Sequence, residues 1–261
     1  MLQKIIIEDY STSGGFRIRN LPLTFQIFGR EIGSAPVVLV THALTGNSDV
    51  GGEKGWWSSL VGNKKTIDTD RFSVICFDIP GNGYNGFLFK EYEKVKISDV
   101  ANWFLYGLEV LGITSVFAGI GGSLGGYVLW EMAFQNPKLF ENLIPVASDW
   151  KATNWLVAQC RIQKQILENS INPVYDARIH AMTLYRSPKS LKEKFERKSS
   201  DNITGVENWL FHHGNKLKER FHLQAYRLMN HLLMSHNFEM DEKHFLLKAS
   251  RIEGNIFLIG I

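Results

Sequence analysis

The sequence predicts an α/β fold in which a mostly parallel sheet is interrupted by an inserted all-helical segment. Over residues 1–150, apolar strand-like runs alternate with helix-like segments, which favours parallel strands joined by right-handed crossovers. Across residues 151–248 helix follows helix without a convincing strand, and a strand-like run returns within residues 249–261. The chain is therefore divided into a first core part, a helical insertion and a short return to the core sheet.

The composition is that of one large domain with a substantial core. The chain has 261 residues, of which 44% are hydrophobic, so it can bury a sizeable apolar interior. Its net charge of +3 comes from interspersed charges, which argues against a nucleic-acid surface. The two cysteines form neither a disulfide framework nor a metal-ligand set. With no signal peptide and no apolar run of bilayer length, we expect a cytoplasmic protein without membrane contacts.

The first core elements are strands separated by glycine-rich loops. Residues 21–28 are predicted to form an edge strand, and residues 37–40 and 73–78 to form buried strands, because the latter two are continuous apolar runs. A helix follows, with Ser98 and Asp99 as its cap and apolar residues at helical spacing. This helix leads into the most informative stretch of the chain.

Residues 116–127 have the pattern of a strand, a sharp turn and a helix. Ser123 stands at the turn between Gly121 and Gly125, and side chains at the two glycine positions would crowd so tight a bend. The alternative is an ordinary glycine-rich turn, which the bare pattern alone allows. The strand before the serine and the helix after it favour the first interpretation, and Ser123 is the candidate nucleophile.

A second loop, residues 41–46, follows the buried strand of residues 37–40. Loops at the carboxyl ends of central strands are where α/β sheets build their sites. In a sheet with a nucleophilic serine, this loop donates one backbone N–H to an oxyanion and the residue after the serine donates the other. Those donors would be Leu44 and Leu124. The alternative for His42 and Thr45 is a turn with locally bonded side chains.

The rest of the chain is predicted to contain one further strand, then a helical insertion and then a final strand. An all-helical block between two sheet strands is expected to act as a lid that shapes substrate access and excludes water. The predicted strand is 143–147, the helices are 152–168, 177–185, 191–198, 206–213, 223–236 and 243–248, and the last strand is 255–259.

Several ordered motifs resemble the homoserine O-acetyltransferase family, α/β-hydrolase-fold acyltransferases of methionine biosynthesis. The resemblance extends over nearly the whole chain, from the core into the lid. The core motifs are His-Ala-Leu-Thr-Gly at 42–46, Gly-Trp-Trp at 55–57, the segment 67–76 and Gly-Gly-Ser-Leu-Gly-Gly at 121–126. The lid motifs are Ala-Arg at 177–178, Tyr-Arg-Ser at 185–187, Val-Glu-Asn-Trp-Leu at 206–210, Arg-Phe at 220–221 and Ala-Tyr at 225–226.

The resemblance implies a ping-pong reaction in which Ser123 takes an acyl group from acyl-CoA and passes it to a hydroxy amino acid. It implies Leu44 and Leu124 as oxyanion donors and Arg178 as the group that binds the acceptor carboxylate, with Tyr185 and Thr45 beside it. Coenzyme A is then a substrate rather than a resident cofactor, and the lid helices form a homodimer. Without the resemblance, Arg178 would be read as a solvated helix residue.

Some segments depart from the family pattern. The crossing from residue 169 to 176 is short, residues 78–86 differ, and Ser48 and Asp49 replace the usual continuation of the His-Ala-Leu-Thr-Gly run. The choice between acetyl and succinyl donors and between homoserine and serine acceptors depends on such loops and stays open. A carboxylesterase or thioesterase, and a non-catalytic member that associates through its lid, are the alternative functions.

The largest departure concerns the acid and the histidine that complete a catalytic triad with the serine in this fold. In this fold the order is Ser, then Asp or Glu, then His, with the acid after the strand that residues 255–259 are predicted to form. No such residues follow before position 261, so we expect a truncated enzyme with weak or absent catalysis. Asp149 could supply an acid, although a cap for the helix of residues 152–168 is the favoured role. The lid histidines lack the spacing of a catalytic triad.

Overall fold

The computed structural model describes residues 1–195, 199–200, 203–237 and 240–260. It confirms the predicted α/β-hydrolase fold class, with a seven-stranded sheet in which every pairing is parallel except the two made by its second strand. In chain order the sheet strands are β1 (Gln3–Ser11), β2 (Arg17–Gly29), β3 (Val37–Thr41), β6 (Ser73–Phe77), β7 (Val116–Gly122), β8 (Phe140–Val146) and β11 (Asn255–Ile256). A two-stranded pair, β4 (Val61–Gly62) and β5 (Ile67–Asp68), lies in the loop between β3 and β6.

The strand order across the sheet is β1-β2-β6-β3-β7-β8-β11. Every residue of β3 and β6 is buried, which explains their continuous apolar sequences. The prediction that residues 21–28 form an edge strand is wrong, because β1 pairs antiparallel along the outer side of β2. In β1 only Ile7 is buried, so this true edge mixes charged and apolar residues and gives a weak strand signal.

Two helices connect the core strands, α1 (Ile97–Val110) and α2 (Leu124–Gln135). The predicted cap of α1 is displaced, because the helix begins at Ile97 and Lys96 is the N-cap residue. Asp99 lies one turn inside, where its carboxylate accepts the backbone N–H of Lys96 at 2.8 Å and that of Ser13 at 2.8 Å. It therefore closes a capping box and also ties the β1–β2 hairpin to α1.

In the described part of the chain between β8 and β11 there are six helices and a short hairpin. The hairpin of β9 (Ser199–Ser200) and β10 (Ile203–Thr204) was not predicted, and residues 196–198 of the predicted 191–198 helix lie outside the described residues. The helices are α3 (Asn154–Asn169), α4 (Pro173–Leu184), α5 (Pro188–Lys194), α6 (Gly205–Lys218), α7 (Leu223–Ser235) and α8 (Glu242–Ala249).

The helical insertion shares its apolar core with the sheet. Leu167 on α3, Ala177 on α4 and Tyr226 on α7 belong to the same buried cluster as Leu39 of β3 and Trp103 of α1. The insertion is therefore packed into the molecule and is not a detached flap. The last strand continues beside β8, because the N–H groups of residues 257 and 259 donate to the carbonyls of residues 143 and 145.

The residues that the structure describes contain neither a membrane-spanning helix nor a cluster of metal ligands. No helix in the described part of the chain is long and apolar enough to cross a bilayer. Within the same residues, no three His, Cys, Asp or Glu side chains are grouped so that they could hold a metal ion.

Candidate active site

Ser123 lies on a strained turn between β7 and α2. Its φ of 53° and ψ of −116° fall in a region that residues with a side chain seldom occupy. Its N–H donates to Val146 at the end of β8 at 2.9 Å, and its carbonyl accepts the N–H of Gly126 at 2.9 Å. Because both sides of the turn are bonded, the strained conformation is held in place and the side chain stays partly exposed.

The glycines beside Ser123 allow the turn to approach β3. A Cβ built on Gly125 would lie 2.8 Å from the carbonyl carbon of Thr41 and closer still to its oxygen, and one on Gly121 would overlap the Thr41 hydroxyl. That hydroxyl donates to the carbonyl of Gly125 at 2.9 Å. The predicted crowding at these two positions is therefore observed, and its partner is the end of β3.

The two proposed oxyanion donors stand on the two elements that meet here. Leu124 is the first residue of α2, where an N–H has no acceptor within the helix and remains available. Leu44 lies in the loop that follows Thr41, and this loop is closed by an N–H of Gly46 that donates to Ala43 at 2.9 Å. Residues 43–46 therefore form a tight turn beside the serine, and we call this turn the oxyanion loop.

A buried histidine supports the oxyanion loop from the core. His42 is fully buried, its Nδ1 donates to the carbonyl of Ala43 at 2.8 Å, and its Nε2 accepts the N–H of Ile79 at 2.9 Å. Burial lowers its pKa, which is consistent with this neutral tautomer. Both ring nitrogens are occupied, so His42 is a structural residue that joins the loops after β3 and β6.

Asp78 forms a second buried connection between the same loops, one that the sequence did not identify. Its carboxylate accepts the N–H of Ser48 at 2.7 Å, the hydroxyls of Ser48 and Thr24 at 2.9 and 2.8 Å, and the amide of Asn82 at 3.1 Å. Ser48 and residues 78–86 are segments that depart from the family pattern. The structure shows that these two segments contact each other and belong to one hydrogen-bonded network.

The lid residues Arg178 and Tyr185, which the resemblance places side by side, contact each other at the end of α4. The Arg178 guanidinium lies 5.6 Å from the centre of the Tyr185 ring, and Tyr185 is 60% exposed. Arg178 is also close enough to Arg220 for its charge to lower the pKa of Arg220, although desolvation is the larger cause. Arg220 in turn donates from Nη1 to the carbonyl of Thr45 at 2.9 Å, so this arginine cluster contacts the oxyanion loop.

No base for Ser123 is visible among the described residues. Within them, no hydrogen bond joins the Ser123 hydroxyl to a histidine or a carboxylate. Asp149 accepts the N–H of Trp150 at 2.7 Å, and the predicted helix cap is wrong because the Thr153 hydroxyl caps α3 instead. The expectation that the acid and the base are missing from the chain stays a prediction.

Comparison with known proteins agrees with this architecture. Residues 36–169 match the family described as the alpha/beta hydrolase fold. The chain belongs to that family. Among its relatives, the homoserine O-acetyltransferase of Salinibacter ruber is 26% identical over 296 residues, which cover 100% of this chain and 83% of the relative. The homoserine O-acetyltransferase of Corynebacterium glutamicum is 29% identical over 297 residues, covering 98% and 78%.

Solved structures of this α/β-hydrolase family superpose on the whole chain. Homoserine O-acetyltransferase from Staphylococcus aureus has a TM-score of 0.85 at 25% identity and covers 100% of this chain and 79% of its own. Esterase E22 has a TM-score of 0.82 at 20% identity with 100% and 85% coverage, which shows the fold alone. The resemblance to homoserine O-acetyltransferases predicted from the motifs is confirmed by these relatives.

Proposed function

We propose that this α/β-hydrolase is an acyl-CoA-dependent O-acyltransferase that acylates the hydroxyl of homoserine. The observation that carries the proposal is the pairing of a strained, partly exposed Ser123 with a lid arginine cluster that contacts the oxyanion loop. A nucleophilic serine accounts for acyl transfer, and guanidinium groups at its entrance favour an acceptor that carries a carboxylate. The relatives named homoserine O-acetyltransferase support homoserine as that acceptor. Methionine biosynthesis is the setting that the motif resemblance implies.

The reaction takes place in two half-reactions on Ser123. The Ser123 oxygen attacks the thioester carbonyl, the tetrahedral oxyanion is stabilised by the N–H groups of Leu44 and Leu124, and the coenzyme A thiolate leaves and is protonated. The homoserine hydroxyl then attacks the acyl-serine ester and loses its proton, and Ser123 is released with its hydroxyl restored. Each attack requires a base to accept a proton, and within the described residues no such group is bonded to Ser123.

The lid provides acceptor selectivity in this proposal. Arg178 binds the acceptor carboxylate, the Tyr185 ring holds the guanidinium in place, and Thr45 lines the same entrance. We also propose that the protein forms a homodimer through the lid, which is supported by apolar side chains that are exposed there. Trp155 is 70% exposed and Ile171 is 97% exposed.

The deciding experiment measures thiol release from acetyl-CoA with and without homoserine. We expect slow homoserine-dependent thiol release, because no base is bonded to Ser123 among the described residues, and we expect Ser123→Ala to abolish it. Arg178→Ala should raise the KM for homoserine by about tenfold or more, because hydrogen bonds to a charged group contribute about 1.5–3 kcal/mol. Arg161→Ala is the matched control, since Arg161 is an exposed arginine on α3 and should leave this KM unchanged.

Each alternative function gives a different result in the same assay. Thiol release that does not depend on homoserine and does not respond to Arg178→Ala would identify a thioesterase or esterase. Absence of thiol release, together with no labelling of Ser123 by a fluorophosphonate, would identify a non-catalytic protein. Comparing succinyl-CoA with acetyl-CoA, and serine with homoserine, determines the donor and the acceptor.

A further inference from the structure

Arg220 connects the lid to the oxyanion loop, although these two segments lie far apart in the sequence. It lies in the short segment between α6 and α7, and its Nη1 donates to the carbonyl of Thr45, a residue 175 positions earlier, at 2.9 Å. The backbone of this segment is fixed, because the N–H groups of Arg220 and Phe221 both donate to Leu217, at 3.1 and 2.9 Å. Phe221 itself is buried against the ring of Tyr226. Arg220 therefore extends from a rigid support.

The Thr45 carbonyl is a suitable point from which to hold the oxyanion loop. Within residues 43–46 the carbonyl of Ala43 is already bonded to Gly46, and His42 fixes the loop from the side of the core. The Thr45 carbonyl shares its peptide with the Gly46 N–H, and the Ala43 carbonyl that accepts this N–H shares its peptide with the Leu44 N–H. A rotation that moved the Thr45 carbonyl would therefore also turn the Leu44 N–H. The contact from Arg220 opposes such a rotation from the side of the lid.

The chemistry of this contact favours arginine over other cations. A guanidinium is planar and has five donors, so it can bond a carbonyl while it faces a second group. Arg178 lies nearby with the same charge, and neither arginine forms an ion pair with a carboxylate among the residues that the structure describes. The like charge of Arg178 acts against this position of Arg220, and the hydrogen bond to the Thr45 carbonyl holds Arg220 there.

We propose that Arg220 is a positioning residue that fixes the oxyanion loop through the Thr45 carbonyl and so holds the Leu44 N–H in place for acylation of Ser123. The inference rests on the proposed function only in taking Ser123 as the acylated residue. It concerns the first half-reaction, whereas Arg178 concerns binding of the acceptor in the second. Acyl donors that involve no homoserine therefore test it separately.

The test compares Arg220→Met and Arg220→Lys in the full chain, with Arg161→Met as the control. The readouts are the steady-state kinetics of p-nitrophenyl acetate cleavage and hydrogen–deuterium exchange of the peptide that contains residues 43–46. For Arg220→Met we expect kcat to fall about tenfold or more with KM within about twofold, because losing an oxyanion donor outright costs about 10²–10³ in kcat. Arg220→Lys should recover part of the rate, and exchange in the loop should be faster in Arg220→Met.

Two results would overturn the proposal. One is a wild-type rate in Arg220→Met, and the other is unchanged exchange of residues 43–46 in that variant. If Arg220→Met does not fold, as judged by circular dichroism, the shorter and uncharged Arg220→Gln variant replaces it, and equal kcat and equal exchange in that variant would refute the role. If the wild type neither cleaves the ester nor releases thiol from acetyl-CoA, the proposed function fails, while the exchange measurement still decides whether Arg220 holds the loop.

Discussion

His236 makes the folded protein sensitive to acid. It follows α7, is 3% exposed, and its ring stacks on Tyr127 of the serine-bearing helix α2 with ring centres 4.1 Å apart. Its Nε2 accepts the side-chain amide of Asn237 at 3.1 Å, which requires an unprotonated nitrogen. Burial lowers the pKa of His236 from 6.5 to about 3, so the ring stays neutral in the native protein.

The sign and size of the effect follow from proton linkage. Because the folded pKa of His236 is lower than the unfolded one, the unfolded chain binds more protons below pH 6.5. The stabilisation is present above pH 6.5 and is lost as the pH falls toward 3. With these two pKa values, the loss from His236 between pH 7 and pH 5 is about 2 kcal/mol. The buried His42 and the half-buried His231 also have pKa values lowered by desolvation and add to the total loss.

Replacing His236 with Phe isolates its share of the loss. Phenylalanine can keep the stack on Tyr127 but cannot bind a proton, so the free energy of unfolding should fall by about 2 kcal/mol less between pH 7 and pH 5 than in the wild type. The measurement is urea unfolding at both pH values, with His212→Phe as a control because His212 is exposed on α6. Equal pH dependence in His236→Phe and the wild type would refute the reasoning.

Two further substitutions test the close contact of Gly125 with Thr41 and the hydrogen bonds of Asp78. Gly125→Ala places a Cβ against the Thr41 carbonyl, which is backbone and cannot move aside, so we expect a loss of about 1–3 kcal/mol in urea unfolding and slower acylation of Ser123. Wild-type stability would show that the turn at Ser123 tolerates the methyl group. Asp78→Ala leaves the buried N–H of Ser48 unpaired and should cost about 3 kcal/mol, whereas Asp149→Ala, at an exposed site, should cost less than about 0.5 kcal/mol. Equal losses in these two variants would show that the Asp78 network does not hold the loops.

The sequence predicted the local features of the site well. The turn around Ser123 is determined by neighbours in the chain, since glycines at positions 121 and 125 and the change from an apolar run to helix formers all lie within about ten residues. The contact of Arg178 with Tyr185 was predictable for the same reason, because both lie along one helix and its end. Geometry that is set by residues close together in the chain can therefore be predicted from the pattern of the sequence.

Features that depend on distant partners were missed or misplaced. The edge of the sheet was assigned to residues 21–28 because β1 buries only Ile7 and therefore shows little apolar pattern. The bond of Arg220 to Thr45 and that of His42 to Ile79 join segments far apart in the chain, and no spacing rule connects them. The hairpin of β9 and β10 has only two residues in each strand, too few for any period to be recognised.

The turn at Ser123 is formed by residues close together in the chain, whereas the oxyanion loop is held by residues far away in it. This difference suggests how proteins with one fold can act either as transferases or as esterases. The strained serine and its glycine contacts with β3 lie within the sheet and its first helices, which homoserine O-acetyltransferases and esterase E22 share as a fold. The oxyanion loop, by contrast, is held from the core by His42 and from the lid by Arg220. Because the lid packs into the same apolar cluster as the sheet, a change in lid sequence is expected to alter both the proposed acceptor site at Arg178 and the proposed support of the oxyanion loop. Selectivity between water and an amino-acid hydroxyl is therefore expected to change with lid residues while the turn at Ser123 stays the same.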